Sequence, residues 1–325
     1  MMYARCMWYV GVVIVLLAWT GVRAAPVQLP TCQEPWRLPN TKLKDHALFV
    51  YDRELYVVAT RILLPNSDGR GETTFAYGRR GADCRWENLG TALTPGPSGA
   101  ADEAYLWAPH VVEAEGVWYM WYTGVNRNIA QSIMLATTTT PNDPTSWVKQ
   151  GVVFRPAHPG MVYPGPMAWS DARDPQVFDY NGQYYLLYTG LDANGGIVGV
   201  ATSASVRGPW RDLGAMLTTA LPVVPESPFV VQRGADWYLF YNAADGTAHQ
   251  MVRWGPSPFG PWQAAQPLPF GWAYDFARTA DNDLLASYLL GNGEAIGVAP
   301  VRWDDAATPP TPLVGFRAWL PLVQR

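Results

Sequence analysis

The chain has 325 residues, including 16 Trp, 17 Tyr and 10 Phe, and only 15% are charged. That aromatic content excludes disorder, and 30 Gly with 29 Pro exclude a coiled coil or helical bundle. A net charge of -4 with no basic run excludes nucleic acid as the main partner, which leaves a turn-rich all-β protein.

Residues 1–24 read as a secretory signal. Arg5 gives the positive start, residues 10–18 (VGVVIVLLA) the apolar core, and Val22-Arg23-Ala24 the small-residue cleavage pattern. The core is shorter than the roughly 20 residues of a spanning helix. No later segment is apolar enough to span, so a mature chain without a membrane span, released outside the cell, is expected. Residues 25–39 form an N-terminal arm. Cys6 leaves with the signal, and Cys32 and Cys84 remain. An even pair in an oxidising compartment suggests one disulfide, with two unpaired thiols as the alternative. No His and Cys cluster has zinc spacing, so no metal ligands are assigned.

Four segments repeat one pattern: 45–60, 108–124, 174–190 and 227–242. Each is an apolar strand, a short polar turn and a return strand rich in Tyr and Trp, which predicts a β-hairpin. Tyr56, Tyr119, Tyr185 and Tyr238 share one register position. Eleven residues earlier stand Asp45, Ala108, Asp174 and Ser227, followed by His46, Pro109, Pro175 and Pro228. Trp86, Trp147, Trp210 and Trp262 close the units. A weaker fifth unit spans residues 272–290, with a third strand at 296–299 and Trp303 in the closing position. Five such units predict a five-bladed β-propeller over residues 40–305. The rival β-sandwich would not need a closing Trp in every unit. Residues 306–325 form a C-terminal tail that could complete a blade, close the ring or stay on the surface.

The repeats differ where the first strand begins. That position is small in Ala108 and Ser227 but acidic in Asp45 and Asp174, and Glu226 stands one residue before Ser227. Innermost strands of a propeller converge on its channel, so these three carboxylates are expected at one mouth. For any one alone, a turn or capping acid is the alternative.

Trp107-Ala108-Pro109, Arg173-Asp174-Pro175 and Glu226-Ser227-Pro228 carry a resemblance to the five-bladed propeller glycoside hydrolases. The chain resembles family 43 most, with families 32 and 68 related. The resemblance covers about residues 40 to 305. It implies Asp45 as general base or nucleophile, Asp174 as the residue that orients the acid and holds the sugar, and Glu226 as general acid. Two positions depart from the family pattern. His46 follows Asp45 where the family has Pro, so Asp102 and Asp275 are spare candidates for the role of Asp45. The fifth blade shows no clear His for the family's channel site; no cofactor is expected, with a channel calcium as the alternative.

A glycosidic bond breaks readily only when its oxygen is protonated as it leaves. Burial of Glu226 beside Pro225, Pro228 and Phe229, with Asp174 near, is expected to raise its pKa. A second carboxylate must be ionised. A separation of roughly 6.5–9.5 Å leaves room for water and inverts the anomeric centre, and roughly 5–5.5 Å retains it. Trp107 and Trp169 are candidate walls of a sugar pocket, His110 could reach the same mouth, and Arg173 is a partner for Asp174. For each Trp and for His110, packing is the alternative. The expected activity is hydrolysis of arabinose- or xylose-containing saccharides with inversion, by a monomer. The alternatives are a non-catalytic carbohydrate-binding propeller and a retaining fructan-type hydrolase.

Overall fold

The turn chemistry sets the hairpins. Asp52-Arg53, Glu115-Gly116 and Asn181-Gly182 all have left-handed φ at both positions, between 48° and 76°. Two such residues twist a tight turn in the sense that antiparallel strands need. The computed structural model describes residues 32, 34–64, 73–165, 172–244, 249–268, 271–307 and 310–314. The signal segment 1–24 and Trp169 lie outside the described residues.

Twenty strands form five four-stranded antiparallel sheets, each from consecutive chain. Blade one holds β1 (Thr41–Tyr51), β2 (Glu54–Leu63), β3 (Thr73–Arg80) and β4 (Trp86–Thr91). Blade two holds β5 (Tyr105–Ala114), β6 (Val117–Val125), β7 (Ser132–Thr138) and β8 (Val148–Phe154). Blade three holds β9 (Arg173–Tyr180), β10 (Gln183–Asp192), β11 (Gly195–Ser203) and β12 (Arg211–Thr219). Blade four holds β13 (Val224–Arg233), β14 (Asp236–Ala244), β15 (His249–Gly255) and β16 (Gln266–Pro267). Blade five holds β17 (Trp272–Arg278), β18 (Leu284–Leu290), β19 (Ala295–Asp304) and β20 (Thr311–Val314). The propeller therefore runs on to Val314, beyond residue 305, and the start of the tail is the outer strand of blade five. Among the described residues the one helical element is a 3-10 turn at Pro144–Ser146, and no helix is long and apolar enough to cross a membrane.

The five-bladed arrangement expected from the repeats is the observed one. The repeated Tyr is buried in blades one, two and four, and the apolar core fills the spaces between blades. Phe49, Tyr56 and Tyr77 of blade one pack with Met120 and Trp147 of blade two. Of the five closing Trp residues, Trp147 is buried and the others are partly buried. Trp147, Trp210 and Trp262 sit between the third and fourth strands of their blades, Trp86 opens β4 and Trp303 lies near the end of β19.

Among the described residues no strand is shared across the joint between blades five and one, and other contacts close the ring. Trp36 of the arm exchanges two backbone hydrogen bonds with Ile296 on β19, at 2.9 and 3.0 Å. Its indole is 1% exposed and lies over Gly78 of blade one, where an added Cβ would meet the ring at 2.6 Å. Only a glycine allows that approach. The Cys32–Cys84 disulfide pins the same arm to blade one. Nearer the channel, Asp275 Oδ2 accepts the Leu48 N–H at 2.8 Å, and His46 Nε2 lies 2.8 Å from Ser287 Oγ.

Candidate active site

Every innermost strand carries one extra residue at the same place. Pairing slips between Lys44 and His46, Trp107 and His110, Glu226 and Phe229, and Trp272 and Asp275. On β9 it slips between Arg173 and Gln176. Such bulges re-aim side chains and recur beside active sites. The bulged residues Ala108, Asp174, Ser227 and Ala273 have left-handed φ of 47°, 55°, 48° and 51°. A non-glycine residue holds that conformation only when its surroundings fix it.

The preceding blade does the fixing. Ala108 N–H donates to Thr60 Oγ1 and Asp174 N–H to Thr123 Oγ1, each at 3.1 Å. Ala273 N–H donates to Asn242 Oδ1 at 3.0 Å. Between blades three and four the pattern changes. Thr189 holds the position of Thr60 and Thr123, but its hydroxyl lies 3.1 Å from Asp174 Oδ2 and 3.0 Å from the Pro225 carbonyl. Asp174 Oδ2 itself accepts the Ser227 N–H at 2.9 Å.

The bulges turn five register-equivalent side chains into one ring: Lys44, Trp107, Arg173, Glu226 and Trp272. Together with Asp45, Thr60, Ile62 and Asp174 they line a cavity of about 220 Å³. Asp45, Asp174 and Glu226, expected to meet at one mouth, share this pocket. Arg173 is 6% exposed. Its Nη2 forms an ion pair with Glu226 Oε1, and its Nε lies 4.0 Å from Asp174 Oδ2. Burial alone would lower the Arg173 pKa, but Glu226 and Asp174 hold the guanidinium above its ordinary value. Trp107 lines the pocket with its ring stacked on Tyr105 at 5.8 Å.

The Asp45 carboxyl titrates above the ordinary carboxylate range. Burial first, then Asp174 and Glu226, push its carboxyl up to about 7 against the pull of Lys44 and Arg173. Its Oδ1 accepts from Ser227 Oγ at 3.3 Å.

The spare acids stand elsewhere. Asp102 is buried on the outer side of blade two, where Tyr122 Oη donates to it at 3.0 Å and Lys149 Nζ forms an ion pair with it. Asp275 lies deeper along the channel, and both its oxygens accept backbone N–H groups, from Leu48 and Phe276. His110 is outside the lining of the larger pocket. Its Nε2 lies 3.1 Å from the Val177 carbonyl, and the ring packs edge-on to Phe229. It and Asp275 belong to a second cavity of about 30 Å³ behind the pocket.

Asp275 spends its oxygens on N–H donors, and His46 and His110 each commit one ring nitrogen to a neighbour. Among the described residues no group of three His, Cys, Asp or Glu could hold a metal.

Sequence reasoning did not single out Lys44, Thr60 or Trp272 for this pocket. The signal that could have found Lys44 and Trp272 is their place in the ring: each stands one residue before the bulge, as Trp107, Arg173 and Glu226 do.

Residues 82–221 match the family described as "Glycosyl hydrolases family 32 N-terminal domain". Among solved structures, fructan 1-exohydrolase IIa from Cichorium intybus is similar with TM-score 0.70 at 16% identity, over 88% of this chain and 60% of that one. A GH43_1 enzyme from Xanthomonas citri is similar with TM-score 0.63 at 19% identity, over 88% and 94% of the two chains. An alpha-L-arabinofuranosidase from Lactobacillus brevis is similar with TM-score 0.61 at 16% identity, over 86% and 96%. The structural likenesses fix the fold, and the family match covers less than half of the chain. The chain has the five-bladed β-propeller fold of these glycoside hydrolases, and its residues 82–221 are similar to the family 32 N-terminal domain.

Proposed function

We propose that the protein is a secreted hydrolase of arabinose- or xylose-containing saccharides that acts with inversion. The observation that carries this reading is the meeting of Asp45, Asp174 and Glu226 in one pocket walled by Trp107 and Trp272. In this reading Glu226 donates a proton to the glycosidic oxygen as that bond breaks. Ionised Asp45 takes a proton from a water, and the water oxygen bonds to the anomeric carbon. Asp174 and Arg173 fix the geometry, and Arg173 holds the Glu226 carboxyl against the pocket wall. The sugar stacks on the Trp faces. The likeness to family 43 structures supports the choice of sugar.

Glu226→Gln tests it. Removing a general acid costs about 10²–10⁴-fold, and the loss should be larger on arabino- or xylo-oligosaccharides than on nitrophenyl glycosides, whose leaving group needs less help. Undiminished hydrolysis by a folded variant would end the proposal.

A second reading, a retaining fructan-type hydrolase, is favoured by the family 32 match over residues 82–221. There Asp45 attacks the anomeric carbon directly. The anomer released first, read by proton NMR, separates the two, as does activity on sucrose or inulin against arabinan.

A further inference from the structure

The smaller cavity lies directly behind the catalytic pocket, and Asp45 and Asp174 line both. Its other polar walls include His46, His110 and Asp275. A water needs about 10–15 Å³ of such space, and the cavity offers about 30 Å³.

His46 breaks the pattern of the repeat here. Pro109, Pro175 and Pro228 occupy its place in three other blades, and proline brings no polar side-chain atom. The imidazole is 5% exposed. Its Nε2 is 2.8 Å from Ser287 Oγ, and the Ser287 hydroxyl donates to the Asp275 carbonyl at 3.4 Å. With its one proton spent there, Ser287 accepts from His46 Nε2–H. The neutral ring then carries its lone pair on Nδ1. Burial keeps the ring neutral, with its pKa pushed down to about 3. Nδ1 is buried and has no protein partner. A buried acceptor needs a donor, and the cavity His46 lines has room for one.

We propose that this cavity is an internal water site held at His46 Nδ1, and that through it His46 positions Asp45 from behind. The water gives one hydrogen to Nδ1 and the other to the Asp45 carboxylate. It therefore favours the ionised form in the free enzyme as well as with a sugar in the pocket in front. The groups facing Asp45 are Lys44, Arg173, Asp174 and Glu226 in front, and His110 and Asp275 behind. Both histidines are neutral in the working range, and burial pushes the Asp275 carboxyl up to about 8. The proposal rests on reading Asp45 as the carboxylate that activates water.

Two measurements test it. A high-resolution crystal structure of the wild-type enzyme should show ordered water within about 3.2 Å of His46 Nδ1. No density there, or a metal ion identified by anomalous scattering, overturns the proposal. His46→Phe removes the acceptor and fills the cavity. The acid limb of kcat/KM should move up by about half a pH unit or more, with KM within about twofold and the thermal midpoint little changed. An unmoved limb in the folded variant overturns it too. If His46→Phe does not fold, the crystallographic result alone decides. Failure of the glycosidase reading shows separately, as full activity in Glu226→Gln.

Discussion

Asp174 Oδ2 accepts the backbone N–H of Ser227, one blade away, at 2.9 Å. The same carboxyl lines the candidate pocket, so one side chain both joins blades three and four and faces the cavity. The two duties separate by substitution. Asp174→Asn can keep its oxygen on Ser227 and Thr189 while losing its charge. It should fold with stability within about 1 kcal/mol of wild type and lose activity at least about 100-fold. Asp174→Ala also strands the Ser227 N–H and should cost a further 1–3 kcal/mol or so. Denaturant titration and steady-state rates on both variants check this.

In the proposed reading Asp45 sets the acid limb of activity. Its carboxyl is pushed up to about 7, and a base must be ionised to accept a proton. The profile of kcat/KM follows ionisation of the free enzyme, so activity should rise towards a plateau as pH passes about 7. A limb at pH 4 or below would show that another group serves as base.

The buried groups also make stability depend on pH, with opposed signs. Asp45 and Asp275 keep their protons in the folded chain up to about 7 and about 8, whereas unfolded carboxyls release them near 4. Each lowers stability as pH rises through that window. His46 and His110 behave in reverse. Unfolded, they take protons below about 6.5, but folded they stay neutral down to about 3 and about 4. Each lowers stability as pH falls below 6.5. Two gains and two losses therefore oppose one another between about pH 4 and 6.5. From 6.5 to 8 the carboxyls act alone, and stability should fall by at least about 1 kcal/mol. Chemical denaturation at pH 5, 6.5 and 8 measures the curve, and Asp45→Asn should flatten part of the upper fall. A rise between 6.5 and 8 contradicts the assignment.

The arm is expected to hold the ring shut. Trp36→Ala removes a buried indole between blades five and one, which should cost about 3–5 kcal/mol. Replacing Cys32 and Cys84 by Ser frees a cross-link across 52 positions and should cost about 4 kcal/mol. Thermal melts of both variants, at a pH where the catalytic carboxylates are unaffected, test this. Melting unchanged in both would mean that the side-chain contacts of Asp275 and His46 close the ring unaided.

Trp272 and Trp107 should act on binding more than on chemistry. Trp272→Ala is expected to raise KM about tenfold, or about 1.4 kcal/mol, and to lower kcat less than threefold. Trp272→Phe should recover most of the loss. A collapse of kcat with KM unchanged would move Trp272 from the binding wall to the chemistry.

The blades were legible because their signals are periodic and local. Tyr56, Tyr119, Tyr185 and Tyr238 fall in register, and the hairpin turns carry Asp52, Gly116 and Asn181-Gly182, residues that left-handed φ favours. The carboxylates were legible for a related reason: Asp45, Asp174 and Glu226 break a pattern that the other blades keep. What stayed hidden depends on contacts across the ring. Nothing near Thr60 reveals that its hydroxyl will fix the backbone of Ala108, 48 positions on. The role of Asp275 at the closing joint likewise needs Leu48 beside it. The raised pKa of Asp45 stayed hidden too, because its burial comes from the convergence of blades.

Every blade is cut from one unbroken stretch of chain, and this fixes the order in which the molecule can be completed. During synthesis Trp36 leaves the ribosome before any blade exists. Its partner Ile296 arrives about 260 residues later, with the last blade. The first part made is thus the last to find its seat. Four blades can stack as they appear, yet the pocket gains Trp272 only with blade five. A truncated or stalled chain would hold all three carboxylates and still have an open side where the ring should meet itself.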